Sequence, residues 1–234
     1  MIDKDYDLGI ATDGDADRLG VIDDLGNYLH PNDILVLLYY YLVKYKGWKG
    51  PVVRNLATTH MLDVMAADFG EVCHEVPVGF KHISAKMAET DAIIGGESSG
   101  GMAVKGHIPG KDGIHAAALL VEMRAVTGKT ISKLYQEIVD TFGELRYEEA
   151  SLPFDPDRRV ELKARIYEEH RIPDFGLPVE SVTFGDGCKV VFQGGSWVIC
   201  RFSGTEPLLR IAAEAPTTSQ ARDFIAGWKE FLRI

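Results

Sequence analysis

Apolar and polar positions between residues 52 and 127 form short apolar runs that alternate with longer amphipathic segments. The short runs predict strands, and the amphipathic segments predict helices. The predicted strands are Val52–Asn55, Glu71–Val76 and Ala92–Ile94, and the predicted helices are Thr58–Phe69, Lys81–Glu89, Gly113–Val126 and Ile131–Thr141. Upstream, the pattern predicts strands at Leu8–Ala11 and Val21–Asp23 and a helix from Pro31 to about Lys46. The alternation predicts an α/β domain with βαβ units and a parallel-type sheet.

The pattern changes after Phe142 and Gly143. Prolines punctuate the next segment, and short strands joined by glycine-containing turns follow it. Helices are predicted at about Asp157–Glu169 and Ser219–Leu232, and strands at Ser181–Phe184, Lys189–Phe192, Trp197–Phe202 and Leu208–Glu214. This order predicts a smaller antiparallel α+β domain, with a boundary near residue 145.

Composition and charge narrow the function classes. The 234 residues are 46% hydrophobic and 26% charged, as in ordinary globular proteins, and the formal net charge of -10 disfavours a nucleic-acid surface. The longest apolar stretch, Ile34–Val43, is too short to span a bilayer, and the first residues are acidic, unlike a signal peptide. The cysteines, Cys73, Cys188 and Cys200, are odd in number and far apart, which favours reduced thiols. We therefore expect a cytoplasmic protein without a membrane or nucleic-acid partner.

The most informative segment is the loop from Arg201 to Arg210, which lies between two apolar strand-like runs. It places an arginine at each end of a small-residue turn, and Ser203, Gly204 and Thr205 offer hydroxyl and backbone N–H donors between them. Paired arginines and clustered N–H groups suit a doubly charged phosphate. An ordinary hairpin turn with incidental arginines is the alternative.

A second loop, Asp13-Gly14-Asp15-Ala16-Asp17-Arg18, directly follows a predicted strand. Carboxylates at alternate positions can converge on one hard cation, and oxygen ligands of this kind suit Mg²⁺. Arg18 would offset the third carboxylate and contact a phosphoryl oxygen. A calcium-binding EF-hand is disfavoured because Arg18 stands where that loop needs glycine, whereas a solvated acidic turn stays open.

A third loop, Gly95–Gly101, follows the predicted strand Ala92–Ile94. Ligands of α/β sheets collect at the carboxyl ends of the strands. Glu97 and Ser99 can accept and donate hydrogen bonds to the neighbouring hydroxyls of a sugar, although a glycine-rich turn with a solvated glutamate would look the same. Lys81 and Lys111 lie in loop-like settings nearby and are candidates for a phosphate contact, if they are not simply surface lysines.

These loops, in this order, resemble the α-D-phosphohexomutase superfamily, specifically its bacterial phosphoglucomutase/phosphomannomutase branch. The strings DGDADR and RFSGTEPLLR carry the resemblance, together with the segment Gly96–Gly101, which is the sugar loop of the family, and Lys111-Asp112-Gly113-Ile114. The resemblance implies a four-domain protein around a cleft, of which this chain holds the C-terminal portion. Residues 1–28 would be the end of domain 2 with the metal loop, residues 29–144 the α/β domain 3, and residues 145–234 the TATA-binding-protein-like domain 4.

The resemblance also implies roles for individual residues. Asp13, Asp15 and Asp17 would bind Mg²⁺, and Arg18 would stabilise the phosphoryl group in transfer. Glu97 and Ser99 would contact the O3 and O4 hydroxyls, with Lys81 and Lys111 as further substrate contacts. The phosphate that is not transferred would bind to Arg201, Ser203, Gly204, Thr205 and Arg210. Gly101 stands where some relatives carry a histidine thought to assist proton transfer, which His107 or His82 could replace.

The implied reaction converts hexose 1-phosphate, of glucose or mannose, into the 6-phosphate. A phosphoserine donates its phosphoryl group, the bisphosphorylated sugar turns in the cleft, and the other phosphate returns to the serine. No Ser-His dipeptide of the kind found in the phosphoserine loop occurs in this sequence, so we expect no turnover by the chain alone. A stand-alone phosphosugar-binding module is one alternative; a Mg²⁺-dependent phosphatase with an aspartate nucleophile is disfavoured by Asp17-Arg18.

The resemblance also raises an expectation about the first strand. Its sheet partners would lie in sequence that is not present, which would expose backbone donors and apolar side chains. We therefore expect residues 1 to about 28 to be disordered or paired with another molecule, with self-association through the first strand as one outcome.

Overall fold

The structure, a computed structural model, describes residues 6–204 and 206–234. It divides into two compact units, the first ending at Glu144 and the second beginning at Leu145, where the sequence changes character. Among the described helices, none combines the length and the apolar character needed to cross a membrane.

The first unit begins with a small antiparallel sheet in the order β1-β2-β3, formed by β1 (Gly9–Thr12), β2 (Leu19–Ile22) and β3 (Tyr28–Leu29). Leu19 and Val21 of β2 are buried, and both β1 and β2 contact a helix of the same unit, α4 (Gly113–Thr127). The carboxylate of Asp24 also accepts hydrogen bonds from the backbone and hydroxyl of Ser132 at 3.0 and 2.8 Å.

These contacts correct the expectation for the N-terminal segment. Residues 6–28 are neither disordered nor dependent on another molecule for their pairing, because β2 pairs with both β1 and β3, and α4 contacts β1 and β2. Self-association through β1 stays a prediction, since β1 is an edge strand of this sheet. Residues 1–5, to which the expectation also applied, lie outside the described residues. The reason is local: the turn Asp23–Asn27 folds β3 back onto β2, with backbone and side-chain hydrogen bonds to Asp23.

The second sheet of the first unit has the order β5-β4-β6-β7. Its strands β4 (Val52–Asn55), β5 (Cys73–Val76) and β6 (Ile94–Gly96) are parallel, and β7 (Met102–Val104) runs antiparallel to β6. The other helices are α1 (Pro31–Lys44), α2 (Met61–Asp68), α3 (Phe80–Thr90) and α5 (Ile131–Phe142). The α/β class with a parallel-type sheet is therefore confirmed, while β3 and β7 are additions to the predicted elements.

The second unit is a five-stranded antiparallel sheet in the order β8-β12-β11-β10-β9. Its strands are β8 (Arg146–Pro153), β9 (Val179–Thr183), β10 (Cys188–Phe192), β11 (Trp197–Phe202) and β12 (Leu208–Ala215). One face packs against α7 (Thr218–Leu232), whose Phe224 and Trp228 join a buried cluster with Val198 and Ile211. This confirms the predicted smaller α+β domain.

The helix predicted at Asp157–Glu169 is broken in the structure. A 3₁₀ turn at Pro156–Arg158 leads into the short helix α6 (Arg159–Lys163), which continues as a π turn at Ala164–Glu168. Strand β8, which ends at Pro153, was not predicted because its residues are mostly half-exposed or exposed and show no apolar run.

Candidate functional site

The metal loop, residues 13–18, joins β1 to β2 and folds tightly on itself. The backbone N–H of Ala16 donates to the carbonyl oxygen of Asp13 at 3.1 Å, and Ala16 adopts the left-handed conformation with φ of 58°. The carboxylates of Asp13, Asp15 and Asp17 each offer one oxygen, and these oxygens all lie within 4.8 Å of one another. Three carboxylate oxygens so close together fit a small hard cation such as Mg²⁺.

Two cations offset the negative charge of this loop. The guanidinium of Arg18 donates from Nε to Asp13 Oδ2 at 2.6 Å and lies 3.5 Å from Asp17 Oδ1, and the ammonium of Lys111 pairs with Asp17 Oδ2. Partial desolvation raises the pKa of Asp13, but hydrogen bonds from the backbone and side chain of Arg18 outweigh it and keep that pKa below its usual value. The loop is therefore held in its compact form by charge.

The sugar loop, residues 97–101, follows β6 at the carboxyl end of the parallel sheet. The N–H of Glu97 donates to the carbonyl oxygen of Gly101, and the N–H of Gly100 donates to the carbonyl oxygen of Glu97, both at 3.0 Å. Gly100 has φ of 102°, a conformation that favours glycine. The side chain of Glu97 is buried, whereas Ser99 is exposed at the tip of the turn.

The metal loop and the sugar loop are joined directly. Arg18 and Gly101 form an antiparallel β-bridge, and the N–H of Gly113, the first residue of α4, donates to the carbonyl oxygen of Ala16 at 2.9 Å. The aliphatic part of the Lys111 side chain fills the space beside Gly101 that a side chain at that position would need. The structure thus brings together Asp13, Asp15, Asp17, Arg18, Glu97, Ser99 and Lys111 in one region of the first unit.

Lys81 and the candidate histidines have different surroundings. Lys81 is exposed in the first turn of α3, next to Phe80, whose ring centroid lies 6.0 Å from Lys111 Nζ. His107 Nε2 lies 2.7 Å from Asp112 Oδ2, and its ring stacks on His115 with 4.0 Å between centroids.

The phosphate loop lies in the second unit, between β11 and β12. Arg201 and Arg210 stand directly opposite each other in the antiparallel pair, so their side chains share the face of the sheet that is turned away from α7. Arg201 Nη2 lies 3.5 Å from Asp186 Oδ1, and Arg210 Nη2 lies 3.7 Å from Glu206 Oε2. Arg201 Nε is buried without a hydrogen-bond partner among the described residues. Both ion pairs are long, and the side chain of Arg210 is exposed while that of Arg201 is partly buried, so these two guanidinium groups are candidates for binding an anion.

The turn itself presents small residues. Ser203 is buried; its N–H donates to the carbonyl oxygen of Leu208 at 2.8 Å, and its Oγ accepts from the N–H of Glu206 at 3.3 Å. Gly204 is exposed, with open space where a side chain would stand. Thr205, the remaining predicted residue of this loop, lies outside the described residues. Arg159 of α6 donates from Nη2 to the carbonyl oxygen of Ser203 at 3.3 Å, a contact that the sequence did not indicate.

The turn between β4 and α2 was also missed as part of the site. The side-chain amide of Asn55 donates to Glu97 Oε1 at 3.1 Å, and the hydroxyl of Thr58 accepts from the N–H of Ser98 at 3.1 Å. The available signal was the position of Asn55 at the carboxyl end of a parallel strand, where polar side chains collect near ligands.

Comparisons with known proteins follow the same division into two units. Residues 30–142 match the family model "Phosphoglucomutase/phosphomannomutase, alpha/beta/alpha domain III", and residues 155–227 match "Phosphoglucomutase/phosphomannomutase, C-terminal domain". A "Phosphoglucomutase/phosphomannomutase" of Thermococcus kodakarensis is 32% identical over 94% of this chain and 45% of its own length. A "Probable phosphoglucosamine mutase" of Thermococcus gammatolerans is 33% identical over 94% of this chain and 46% of its own length.

Among solved structures, a phosphoglucomutase/phosphomannomutase family protein of Burkholderia thailandensis superimposes with a TM-score of 0.76. The match covers 99% of this chain and 48% of that one at 24% identity, so it establishes the fold alone. The chain spans about half the length of the curated relatives that it matches.

Proposed function

The chain belongs to the phosphoglucomutase/phosphomannomutase family of α-D-phosphohexomutases, and we propose that it is the metal-, sugar- and phosphate-binding portion of an enzyme that interconverts hexose 1-phosphates and hexose 6-phosphates. The observation that carries this proposal is the direct connection of the carboxylate cluster to the sugar loop, through the Arg18–Gly101 bridge and the Lys111–Asp17 ion pair. A solvated acidic turn and an isolated glycine-rich turn would have no reason to be joined in this way.

The metal loop supports Mg²⁺ as the cofactor in this proposal. Asp13, Asp15 and Asp17 would hold the ion, since their oxygens converge and Asp17 Oδ1 is buried without a hydrogen-bond partner among the described residues. Bound Mg²⁺ stabilises the negative charge that develops on a phosphoryl group during transfer. Arg18, whose guanidinium is half-exposed beside the cluster, would contact a phosphoryl oxygen from the same side.

In this proposal, the loop that follows β6 recognises the sugar. The buried side chain of Glu97 would accept hydrogen bonds from ligand hydroxyls, and the exposed hydroxyl of Ser99 would both donate and accept. Vicinal hydroxyls present two donors at nearly the same spacing whichever way the sugar ring is turned. The same two residues would therefore bind the 1-phosphate and the 6-phosphate, as a reaction with a turning intermediate requires.

In this proposal, the second unit recognises the phosphate. Arg201 and Arg210, opposite each other on one face of the sheet, would supply charge, and the exposed Gly204 of the turn would supply a backbone donor beside the Ser203 hydroxyl. Charge-assisted hydrogen bonds of this kind contribute about 1.5–3 kcal/mol each when the partner is charged. The phosphoryl transfer itself needs a nucleophilic serine, so we propose that this portion binds substrate and metal and does not turn substrate over by itself.

The preferred hexose is part of the proposal. Glucose and mannose 1-phosphates differ at C2, as does glucosamine 1-phosphate, and the relatives include both phosphoglucomutase/phosphomannomutase and phosphoglucosamine mutase. We propose glucose or mannose phosphate as substrate, in a cytoplasmic setting that suits the free thiols of the described cysteines.

Calorimetric titration of the chain tests the proposal, with glucose, mannose and glucosamine 1-phosphates in the presence and absence of Mg²⁺. We expect saturable binding that Arg201→Ala weakens about tenfold or more. Arg222→Ala is the matched control, because Arg222 is an exposed arginine of the same unit that pairs with Glu148. Equal loss in both variants, or no binding of any sugar phosphate by the unmodified chain, would refute the proposal.

A further inference from the structure

Glu97 is a buried carboxylate whose position is set by two donors. Glu97 is 7% exposed, and its Oε1 accepts hydrogen bonds from the N–H of Gly79 at 3.0 Å and from Asn55 Nδ2 at 3.1 Å. Burying a polar group is costly unless it is hydrogen-bonded, and these two donors supply such bonds to Oε1. Both of these hydrogen bonds are made to Oε1, which leaves the acceptor positions of Oε2 for a ligand.

The orientation of the Asn55 amide is fixed from its other end. Asn55 is 2% exposed, and its Oδ1 accepts from the N–H of Ala57 and from the hydroxyl of Thr58, each at 2.9 Å. A flipped amide would place its oxygen against the Glu97 carboxylate and its NH₂ group against an N–H donor. Both ends would then be repulsive, so the amide donates to Glu97.

Thr58 extends the same network to the backbone of the sugar loop. Its hydroxyl is fully buried, donates to Asn55 Oδ1 and accepts from the N–H of Ser98 at 3.1 Å. Donor and acceptor directions agree along the whole chain of bonds from Ser98 to Glu97. The turn after β4 thus holds both the carboxylate and the main chain of the sugar loop, immediately before Ser99.

We infer that Asn55 is a positioning residue for substrate recognition: it fixes Oε1 of Glu97 so that Oε2 receives the hydroxyls of a hexose phosphate. The identity of the ligand rests on the proposed function, whereas the positioning rests on the hydrogen bonds. Asn55 itself makes no contact with substrate in this inference and acts through Glu97.

Measuring the binding of two ligands distinguishes a loss of Glu97 positioning from a general loss of structure. Glucose 1-phosphate engages the sugar loop, whereas inorganic phosphate does not need it, so calorimetry with both ligands gives an affinity ratio. We expect Asn55→Ala to lower the affinity for glucose 1-phosphate about tenfold and to leave that for inorganic phosphate unchanged. We also expect Asn55→Ala to have no further effect in a Glu97→Gln background, because the two residues act as one unit. Equal loss for both ligands, or additive effects, would overturn the inference.

The matched control is Asn27→Ala. Asn27 also donates from Nδ2 to a carboxylate, Asp23 Oδ2 at 3.2 Å, but in an exposed turn of the same unit, and its removal is expected to leave both affinities unchanged. If Asn27→Ala reproduces the effect of Asn55→Ala, the loss is a general response of the unit and the inference is wrong.

A measurement on the chain without ligand tests this inference independently of the proposed function. We expect the ¹⁵N-detected side-chain amide signal of Asn55 to shift in Glu97→Gln and to stay unchanged in Asn27→Ala. If the Asn55 signal does not shift in Glu97→Gln, the inference that Asn55 positions Glu97 is wrong. A chain that shows the expected shift but binds no sugar phosphate supports the hydrogen bond and refutes the proposed function.

Discussion

Gly113, the first residue of α4, offers a sharp test of how the metal loop is held. A Cβ added at Gly113 would lie 2.8 Å from the carbonyl oxygen of Arg18 and 2.9 Å from that of Ala16. Ordinary contact begins near 3.4 Å, and both obstacles are backbone atoms that no side-chain rotation can clear. Gly113→Ala therefore forces the metal loop and the start of α4 apart by about half an ångström.

The expected cost follows from two opposing terms. Overpacking of a well-filled contact costs about 1–3 kcal/mol. Replacing glycine by alanine at a helical position recovers up to about 1 kcal/mol. We expect a net loss of about 1–2 kcal/mol in the free energy of unfolding of the first unit. Where the loop yields rather than the helix, about 1 kcal/mol of this appears as roughly fivefold weaker Mg²⁺ binding.

Chemical denaturation and Mg²⁺ calorimetry measure the two parts, with Gly110→Ala as the matched control. Gly110 lies three positions earlier, and a Cβ there would meet nothing within 4 Å, so we expect changes below about 0.5 kcal/mol. The denaturation result does not depend on metal. If Gly113→Ala unfolds at the same denaturant concentration as the unmodified chain, the close approach of α4 to the metal loop does not constrain either element.

Three further predictions concern acid stability, thiols and turnover. Desolvation raises the pKa of Asp24, but the hydrogen bonds from Ser132 outweigh this effect, so the pKa lies below its ordinary value. The ionised Asp24 therefore stabilises the folded chain above the ordinary aspartate pKa, and this stabilisation is lost as the pH falls through the lowered pKa. Asp24→Asn should therefore flatten the loss of stability below about pH 4, and an unchanged acid limb in denaturation curves would contradict this. Burial raises the pKa of Cys188 to about 12, so iodoacetamide at pH 8 should modify it only after unfolding; rapid labelling of the native chain, detected by mass spectrometry, would be inconsistent with its burial. In a coupled assay the chain alone should show no conversion of glucose 1-phosphate to glucose 6-phosphate, and measurable conversion would mean that a nucleophile is present after all.

The elements that could be predicted are those whose signal is local. Strands such as Val52–Asn55 carry their apolar pattern within a few residues, and the phosphate loop carries its arginines symmetrically about a turn, so their pairing across β11 and β12 follows from the hairpin. Strand β3 has two residues and β7 has three, too few for a period to be seen.

The residues that could not be predicted depend on pairings between distant segments. Asn55 meets Glu97 because β4 pairs with β6, which places the two strand ends side by side across 42 positions of sequence. The sequence pattern places Thr58 and Thr59 at the start of the predicted helix Thr58–Phe69. Thr59 does accept from the N–H of Met61 at 3.0 Å, but the Thr58 hydroxyl accepts from Ser98 of the sugar loop. The pairing of Lys111 with Asp17 has the same origin, since only the fold brings α4 to the metal loop.

The β-bridge between Arg18 and Gly101 has a thermodynamic consequence. The two loops that we propose bind the metal and the sugar share one pair of backbone contacts, so a change in the shape of one is expected to affect the other. Whatever factor a divalent ion applies to the affinity for a polyol, the polyol must apply to the affinity for the ion, because the free energy around a closed cycle vanishes. A sugar alcohol without any phosphate would then be enough to reveal the linkage, as a displacement of the cation titration curve.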